Sequence, residues 1–455
     1  MLKKCLFASL AVYACYAQSS AGQGPVYKLL YAPSNLLAPG GNPTVMFEAE
    51  PGLFYVLGYR STSSFGSSVF TVTSEGAFKV IYSLPANIDS GTLVQGGNGR
   101  LYGPGNPTGS GTSPSYNYYY SILPAGSGLQ QYAFTGTWGS GAEMLAAPPG
   151  EFYDIIGTAG NKPVWGFGRL DENGKIILLH QFSASDGIPS GSNIVYGSDG
   201  NIYGIGNQQG VQAPPGFIFR FTPSGAYSQL VSFPQPSIGY SPIYLPLIAA
   251  SDGNLYGVLK MTGANNTGQI YQATLSGQLQ TVASFPAKGM TRPQSLMQAS
   301  DGNLYGSASN YIFRYNLTTR QLSGVYELNA NTSQGECPCK LIEGMDGKLY
   351  GVTPFGGSNQ GIGAVFSLDI GLPKPTPVIS GLYPASGPAG QNVTLWGNYL
   401  LGATSVTFNG APAANVASTS VQSVKVTVPA GATTGPVTIT NANGSFTTGQ
   451  DFTVQ

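Results

Sequence analysis

Short runs of alternating apolar and polar residues recur along this chain in sets of four, each set built around the same turn. In the clearest set, 193–197 (NIVYG) and 201–205 (NIYGI) flank Asp199-Gly200, and 216–222 (GFIFRFT) and 227–233 (YSQLVSF) flank Pro223-Ser224-Gly225. Alternation with period two sends successive side chains to opposite faces of a strand. Asp-Gly between two such runs is a hairpin signal, because glycine adopts positive φ without steric cost. Each set therefore predicts one four-stranded antiparallel sheet.

The turn and the strand after it repeat. The stretch 198–204 (SDGNIYG) returns as SDGNLYG at 251–257 and 300–306 and as MDGKLYG at 345–351. Weaker copies lie upstream at 51–55 (PGLFY), 97–103 (GNGRLYG) and 149–153 (PGEFY). Aligned on their tyrosines (Tyr55, Tyr102, Tyr153, Tyr203, Tyr256, Tyr305 and Tyr350), the copies are spaced 47, 51, 50, 53, 49 and 45 residues apart. A period near 50 residues with four strands per period is that of a propeller blade. The expected fold is all-β, a seven-bladed β-propeller over 25–370. The seventh copy lacks an outer strand, since 363–368 (GAVFSL) runs directly into 371–377 (GLPKPTP). Lys28-Leu29-Leu30-Tyr31 is predicted to supply that strand from the other end of the chain, removing two exposed sheet edges.

Residues 371–377 read as a linker. Beyond them, strand-like runs at 393–397, 405–408, 424–428, 437–440 and 451–454, with turns about every ten residues, predict an immunoglobulin-like β-sandwich over 378–455.

Charge narrows the class of partner. Only 8% of residues are charged, 19 basic against 19 acidic, so the basic surplus that nucleic-acid binding requires is absent. The N-terminus predicts an export signal over 1–17: Lys3 and Lys4, an apolar stretch at 5–14, and a small-x-small site at Cys15-Tyr16-Ala17, with a second cleavage position after Ala21. A rival reading makes Val12-Tyr13-Ala14-Cys15 a lipidation box with Cys15 acylated, although Tyr13 stands where a small residue is usual. The apolar stretch is too short to span a bilayer and no other segment approaches that length, so a secreted, periplasmic or cell-surface protein is expected.

Candidate chemistry is sparse. The single histidine, His180, falls in a column of outer-strand positions with Tyr31, Tyr82, Tyr132, Val231, Ala283 and Tyr326, which assigns it to packing away from the channel. With so few His and Cys ligands, no metal site and no cofactor are expected. The Asp-Gly-Asn turn reads as a hairpin device, because a calcium loop needs more carboxylates than the copies carry. Cys337 and Cys339 are a candidate disulfide stiffening the loop before the seventh blade, with redox, metal or free-thiol roles as alternatives. Tyr118, Tyr119 and Tyr120 are candidates for binding sugar rings, with packing between blades as the competing assignment. Alternation sets Tyr119 opposite to the other two. Acidic residues are scattered, but distant blades converge on one channel, so a glycosidase-like pair of carboxyls stays open.

The SDGNLYG unit, the following G-x-[VI]-[FY] strand and the L-x-S-F ending resemble the GloVer tandem repeats of bacterial envelope proteins over about 25–370, most closely in the second half. The P-x-x-G-x-x-G pattern starting at Pro384, before V-x-L-x-G at Val393, resembles IPT/TIG domains. These resemblances imply an exported repeat protein with a spacer or binding module and supply no catalytic residues. D-G-N-L-W repeats also occur in the virginiamycin B lyases, which that resemblance links to a channel histidine and a metal ion; His180 is misplaced for that role. The expected function is non-catalytic binding or surface organisation, with an extracellular glycan or protein as partner. The alternative is a polysaccharide-acting hydrolase or lyase with carboxylates converging on the channel.

Overall fold

The computed structural model describes residues 24–33, 42–59, 67–84, 92–96, 98–105, 118–133, 138–147, 151–158, 164–171, 173, 175–189, 194–207, 216–234, 246–260, 266–329, 334, 338–357 and 362–455. The proposed signal segment and Cys15 lie outside them. Among the described residues every regular element is a strand. The repeat region forms seven antiparallel sheets, numbered here by motif copy. Sheet six shows the plan, with Pro293–Gln298, Leu304–Ala308, Tyr311–Asn316 and Gln321–Glu327 paired in sequence order. First strands of neighbouring sheets touch: Asn42–Glu50 meets Lys340–Glu343, which meets Pro293–Gln298, which meets Ile248–Ala249. The result is a propeller-like ring. Its motif strands Leu255–Leu259, Leu304–Ala308 and Leu349–Thr353 are buried at every position because neighbouring sheets cover both faces.

The N-terminal strand joins the seventh sheet. Val26–Tyr31 runs antiparallel to Ala364–Asp369, from Val26 opposite Asp369 to Tyr31 opposite Val365, and becomes the outer strand of sheet seven. Its aromatic side chains tie it to both neighbours. Tyr27 stacks on Tyr326 of sheet six at 5.8 Å, and Tyr31 stacks on Phe78 of sheet one at 4.0 Å. The outer-strand column is also real. Tyr82, Tyr132, His180, Val231, Ala283 and Tyr326 each oppose the matching residue of their third strand (Val69, Tyr119, Phe167, Ile218, Ile270 and Ile312).

The repeated turn is held by its own side chains. Asp199, Asp252, Asp301 and Asp346 each accept a hydrogen bond from the tyrosine hydroxyl four residues on, at 2.8, 2.7, 2.9 and 2.9 Å. The other oxygen of each accepts the backbone N–H two residues on. The aspartate thus fastens the turn to the strand that follows, which is a structural task and not that of a ligand loop. Asn98 does the same for Tyr102, donating at 2.8 Å. Copies one and three have no such side chain, and there the hydroxyl goes elsewhere. Tyr55 donates to the Pro124 carbonyl and Tyr153 to the Pro223 carbonyl, in each case on the outer hairpin of the next sheet.

Residues 378–455 form a two-sheet sandwich. Val378–Tyr383, Asn392–Asn398, Ser423–Thr427 and Ala414–Ser420 make one sheet; Ser386–Gly387, Gly444–Val454, Gly435–Asn441, Ser405–Phe408 and Ala411–Pro412 make the other. Val393, Leu395, Phe408, Val426, Ile439 and Phe452 fill the space between them.

We predict that deleting the N-terminal strand lowers the thermal unfolding midpoint by more than about 5 °C, since it reopens two sheet edges and strips buried rings. An unchanged midpoint would show that the ring does not depend on it. Asp301→Ala should cost about 1–3 kcal/mol by leaving the buried Tyr305 hydroxyl hydrogen without its acceptor. Adding Tyr305→Phe should restore part of that loss in denaturant titrations, whereas additive losses would contradict the pairing.

Candidate binding cavity

A second set of hydrogen bonds joins sheets six, seven and one each to the sheet before it, and it decides what the channel offers a ligand. Seven residues before the motif tyrosine, on the first strand, stand Glu48, Gln95, Gln298 and Glu343 in copies one, two, six and seven. Gln298 accepts the Ser251 N–H of sheet five at 2.8 Å and donates to the Ser251 hydroxyl at 2.9 Å. Glu343 accepts the Ser300 N–H at 2.8 Å and the Ser300 hydroxyl at 2.5 Å. Glu48 accepts the Met345 N–H at 2.8 Å, fastening sheet one to sheet seven, and the Gly52 N–H at 2.7 Å. The carboxylates of this column are therefore spent on backbone and hydroxyl donors of the turns. Glu48 and Glu343 are nonetheless buried, and burial raises both pKa values from 4.5 to about 7 against the opposing effect of these hydrogen bonds.

The C-terminal domain is seated on the same turns. The Ser300 hydroxyl reaches the Pro373 carbonyl at 2.7 Å, and Leu372 packs with Leu341, Leu349 and Leu368, so the stretch read as a linker is fastened to sheets six and seven. Asn443 donates to the Met345 carbonyl at 3.2 Å and to the Pro375 carbonyl at 3.1 Å. On the far side, Trp396 packs on Tyr196 of sheet four with ring centroids 4.6 Å apart. Between these points the Tyr399 hydroxyl lies in the field of Glu343 and Glu48; burial, reinforced by both carboxylates, raises its pKa.

Between ring and sandwich lies a cavity of about 2170 Å³ that continues into the channel. Its ring side includes the turn residues Ser198, Gly200, Ser251 and Gly302, and its sandwich side includes Trp396, Asn398, Tyr399 and Gln422. The charged residues along it are Glu151, Glu343 and Asp451 against Arg169, Lys340 and Lys425, an even balance. Glu151 and Arg169 face each other at 3.4 Å. Among the described residues no group of three or more His, Cys, Asp or Glu could hold a metal ion.

The candidates read from the sequence fall elsewhere. Tyr119 and Tyr120 are buried on opposite faces of their strand: Tyr119 packs with Met144 and Phe152 and donates to Asp154, while Tyr120 packs with Leu57 and Leu101. Neither offers a ring face to a sugar, which corrects that assignment for both. The side chain of Tyr118 lies outside the described residues. So does Cys337, and with it the proposed disulfide; Cys339 lines the cavity with Sγ 3.6 Å from the Thr44 carbonyl. His180 stacks on Tyr227 at 4.9 Å and meets Asp186 at 3.3 Å, on the outer strand and away from the cavity. The column of Glu and Gln was legible as a recurring position, but its meaning depends on which donor the previous sheet presents.

Against known families, the model of the Gloeobacter/Verrucomicrobia repeat matches residues 242–398, the stretch that holds copies five to seven of the motif. The IPT/TIG domain matches residues 377–454, which form the sandwich. Curated protein sequences give no match. Among solved structures the chain is similar to a streptogramin B lyase (16% identity, TM-score 0.53, covering 77% of this chain and 99% of that one). It is also similar to a catalytically inactive virginiamycin B lyase from Staphylococcus aureus with quinupristin (17%, 0.53, 76% and 99%). A third likeness is to the extracellular domain of a hybrid two-component system from B. thetaiotaomicron (13%, 0.50, 94% and 57%). At such identities the likeness is one of fold.

Because folding raises the pKa of Glu48 and Glu343 from 4.5 to about 7, the folded state binds their protons more tightly than the unfolded chain between those values. Stability should therefore fall as pH rises from about 4.5 to 7, by roughly 1–3 kcal/mol per group, and level off above. Denaturant titrations at pH 5 and pH 8 test this. Glu343→Gln, which reproduces the neighbouring Gln298–Ser251 arrangement, should fold and flatten the slope; a stability that rises with pH would contradict the assignment.

Proposed function

We propose that this chain is an exported, non-catalytic binding protein, and that the cavity between the ring and the IPT/TIG domain receives an extended, uncharged, hydroxyl-rich polymer, a glycan segment in the first instance. The observation that carries this reading is the composition of the cavity wall. It presents turn serines, amides and tyrosines with three charges of each sign, and its volume exceeds the several hundred Å³ of a usual small-molecule pocket. The export reading rests on the basic and apolar N-terminal stretch and on the low charge of the chain.

One observation favours a second reading, a polysaccharide-acting hydrolase or lyase. Glu343 and Glu48 hold their protons up to about pH 7 beside the Tyr399 hydroxyl, a setting in which a carboxyl can act as a general acid. Against it stands the use of all four carboxylate oxygens by donors of the turns.

The purified full chain incubated with a panel of neutral and acidic polysaccharides, scored for both retention and new reducing ends, separates the two. Retention without cleavage is expected. Cleavage abolished by Glu343→Gln would establish the enzyme, and neither retention nor cleavage across the panel would overturn both readings.

A further inference from the structure

The arginines of the third strands give an internal comparison. Arg169, Arg220 and Arg314 occupy one register position, opposite the motif tyrosines Tyr153, Tyr203 and Tyr305. In sheets four and six the positive charge of the arginine acts on the tyrosine hydroxyl, which is itself bound to the turn aspartate. Burial and that aspartate push the Tyr203 pKa up to about 12.

Sheet three differs in its turn. Copy three reads Pro149-Gly150-Glu151 where copies four to seven have Asp-Gly-Asn or Asp-Gly-Lys, so Tyr153 has no aspartate and donates to the Pro223 carbonyl instead. Arg169 likewise acts on Tyr153 through its charge. Its Nη1 lies 3.4 Å from the Glu151 carboxylate, a pairing that its counterparts lack, and its Nε, like that of Arg314, is buried without a hydrogen-bond partner. The two side chains keep 35% and 25% of their surface exposed, and both line the cavity. Of the ion pairs among the described residues, this is the one with both members on that wall.

We infer that Glu151 and Arg169 form a specificity subsite that reads two adjacent hydroxyl groups of a neutral sugar residue. The inference rests on the binding reading above and names the ligand class for one part of that cavity. The chemistry follows from the pairing of an acceptor-only carboxylate with a donor-only guanidinium. A vicinal diol satisfies both at once, one hydroxyl donating to Glu151 and its neighbour accepting from Arg169. A uronate carboxylate would be repelled by Glu151 and an amino sugar by Arg169, so the pair selects against charge of either sign. Partial burial strengthens the selection, because a charge left facing its like in a half-desolvated site costs more than in open water. Loss of the turn aspartate in copy three thus converts a scaffold position into a recognition position.

The test uses the full chain and direct binding to a soluble neutral β-glucan, a neutral galactan, a xylan and a polyuronate. Wild type should bind at least one neutral polymer and not the polyuronate. Glu151→Gln and Arg169→Gln should each weaken neutral binding at least about tenfold. Glu151→Gln should also bring in measurable polyuronate binding, a change of selectivity that mere loss of packing would not produce. Unchanged unfolding midpoints show that the variants are folded, and Arg169→Lys replaces Arg169→Gln if the latter is not. Glu75→Gln, in an exposed pair outside the cavity wall, should bind as wild type does. Variants that bind neutral polymers within twofold of wild type would overturn the subsite and leave the cavity reading standing. Wild type that binds only polyuronate would overturn the neutral class. Wild type that binds nothing would overturn the cavity reading and the subsite with it.

Discussion

A phenol buried in a ring of sheets must find a hydrogen-bond partner, and most of what distinguishes one copy from another follows from where it finds one. An unpaired buried hydroxyl costs on the order of 1–3 kcal/mol, enough to matter in a chain of marginal stability. In four copies the turn aspartate supplies the acceptor, and the turn and strand become one rigid unit. In copies one and three the next sheet supplies a carbonyl instead, so the same hydroxyl joins two sheets. Of these two copies only the third carries an arginine opposite the tyrosine, and there it pairs with Glu151.

A parallel trade runs through the first strands. Serine at the head of the turn presents an N–H and a hydroxyl, and the next sheet answers with Gln298, which donates to the hydroxyl, or Glu343, which accepts from it. In the last copy methionine replaces serine and only the N–H is left to bind, so Glu48 divides its oxygens between Met345 and its own turn at Gly52. Carboxyl groups that gather at a channel mouth would ordinarily suggest acid–base chemistry. Here their partners explain their presence, and the IPT/TIG domain adds Tyr399 to the same cluster, so ring closure and domain seating meet at one place.

Much of this architecture was legible in the sequence because it repeats. A turn that returns at nearly constant spacing exposed the sheets, and the missing outer strand of the seventh copy exposed the closure by Lys28 to Tyr31. The column containing His180 followed from register alone. What escaped was set by relations between copies and between domains. Tyr119 and Tyr120 resembled an exposed aromatic platform because a strand buried on both faces carries the same residues as one meant for stacking. Residues 371–377 resembled a free linker because their anchors, Ser300 and the leucines of sheet seven, lie far away in the chain. Glu151 and Arg169 carried no motif; their significance lies in departing from one.

Pairing Val26 with Asp369 also imposes an order of events on the chain as it is made. The strand that emerges first has its partner almost at the end of the ring, so during vectorial synthesis it must wait, unpaired, through the whole of the intervening sequence. At about 5–20 residues per second that wait lasts tens of seconds. Long-range pairing of this kind is slow and costly in loop entropy, so the ring can lock only after its last sheet has formed. The IPT/TIG domain, made after the ring, then settles onto sheets that are already joined.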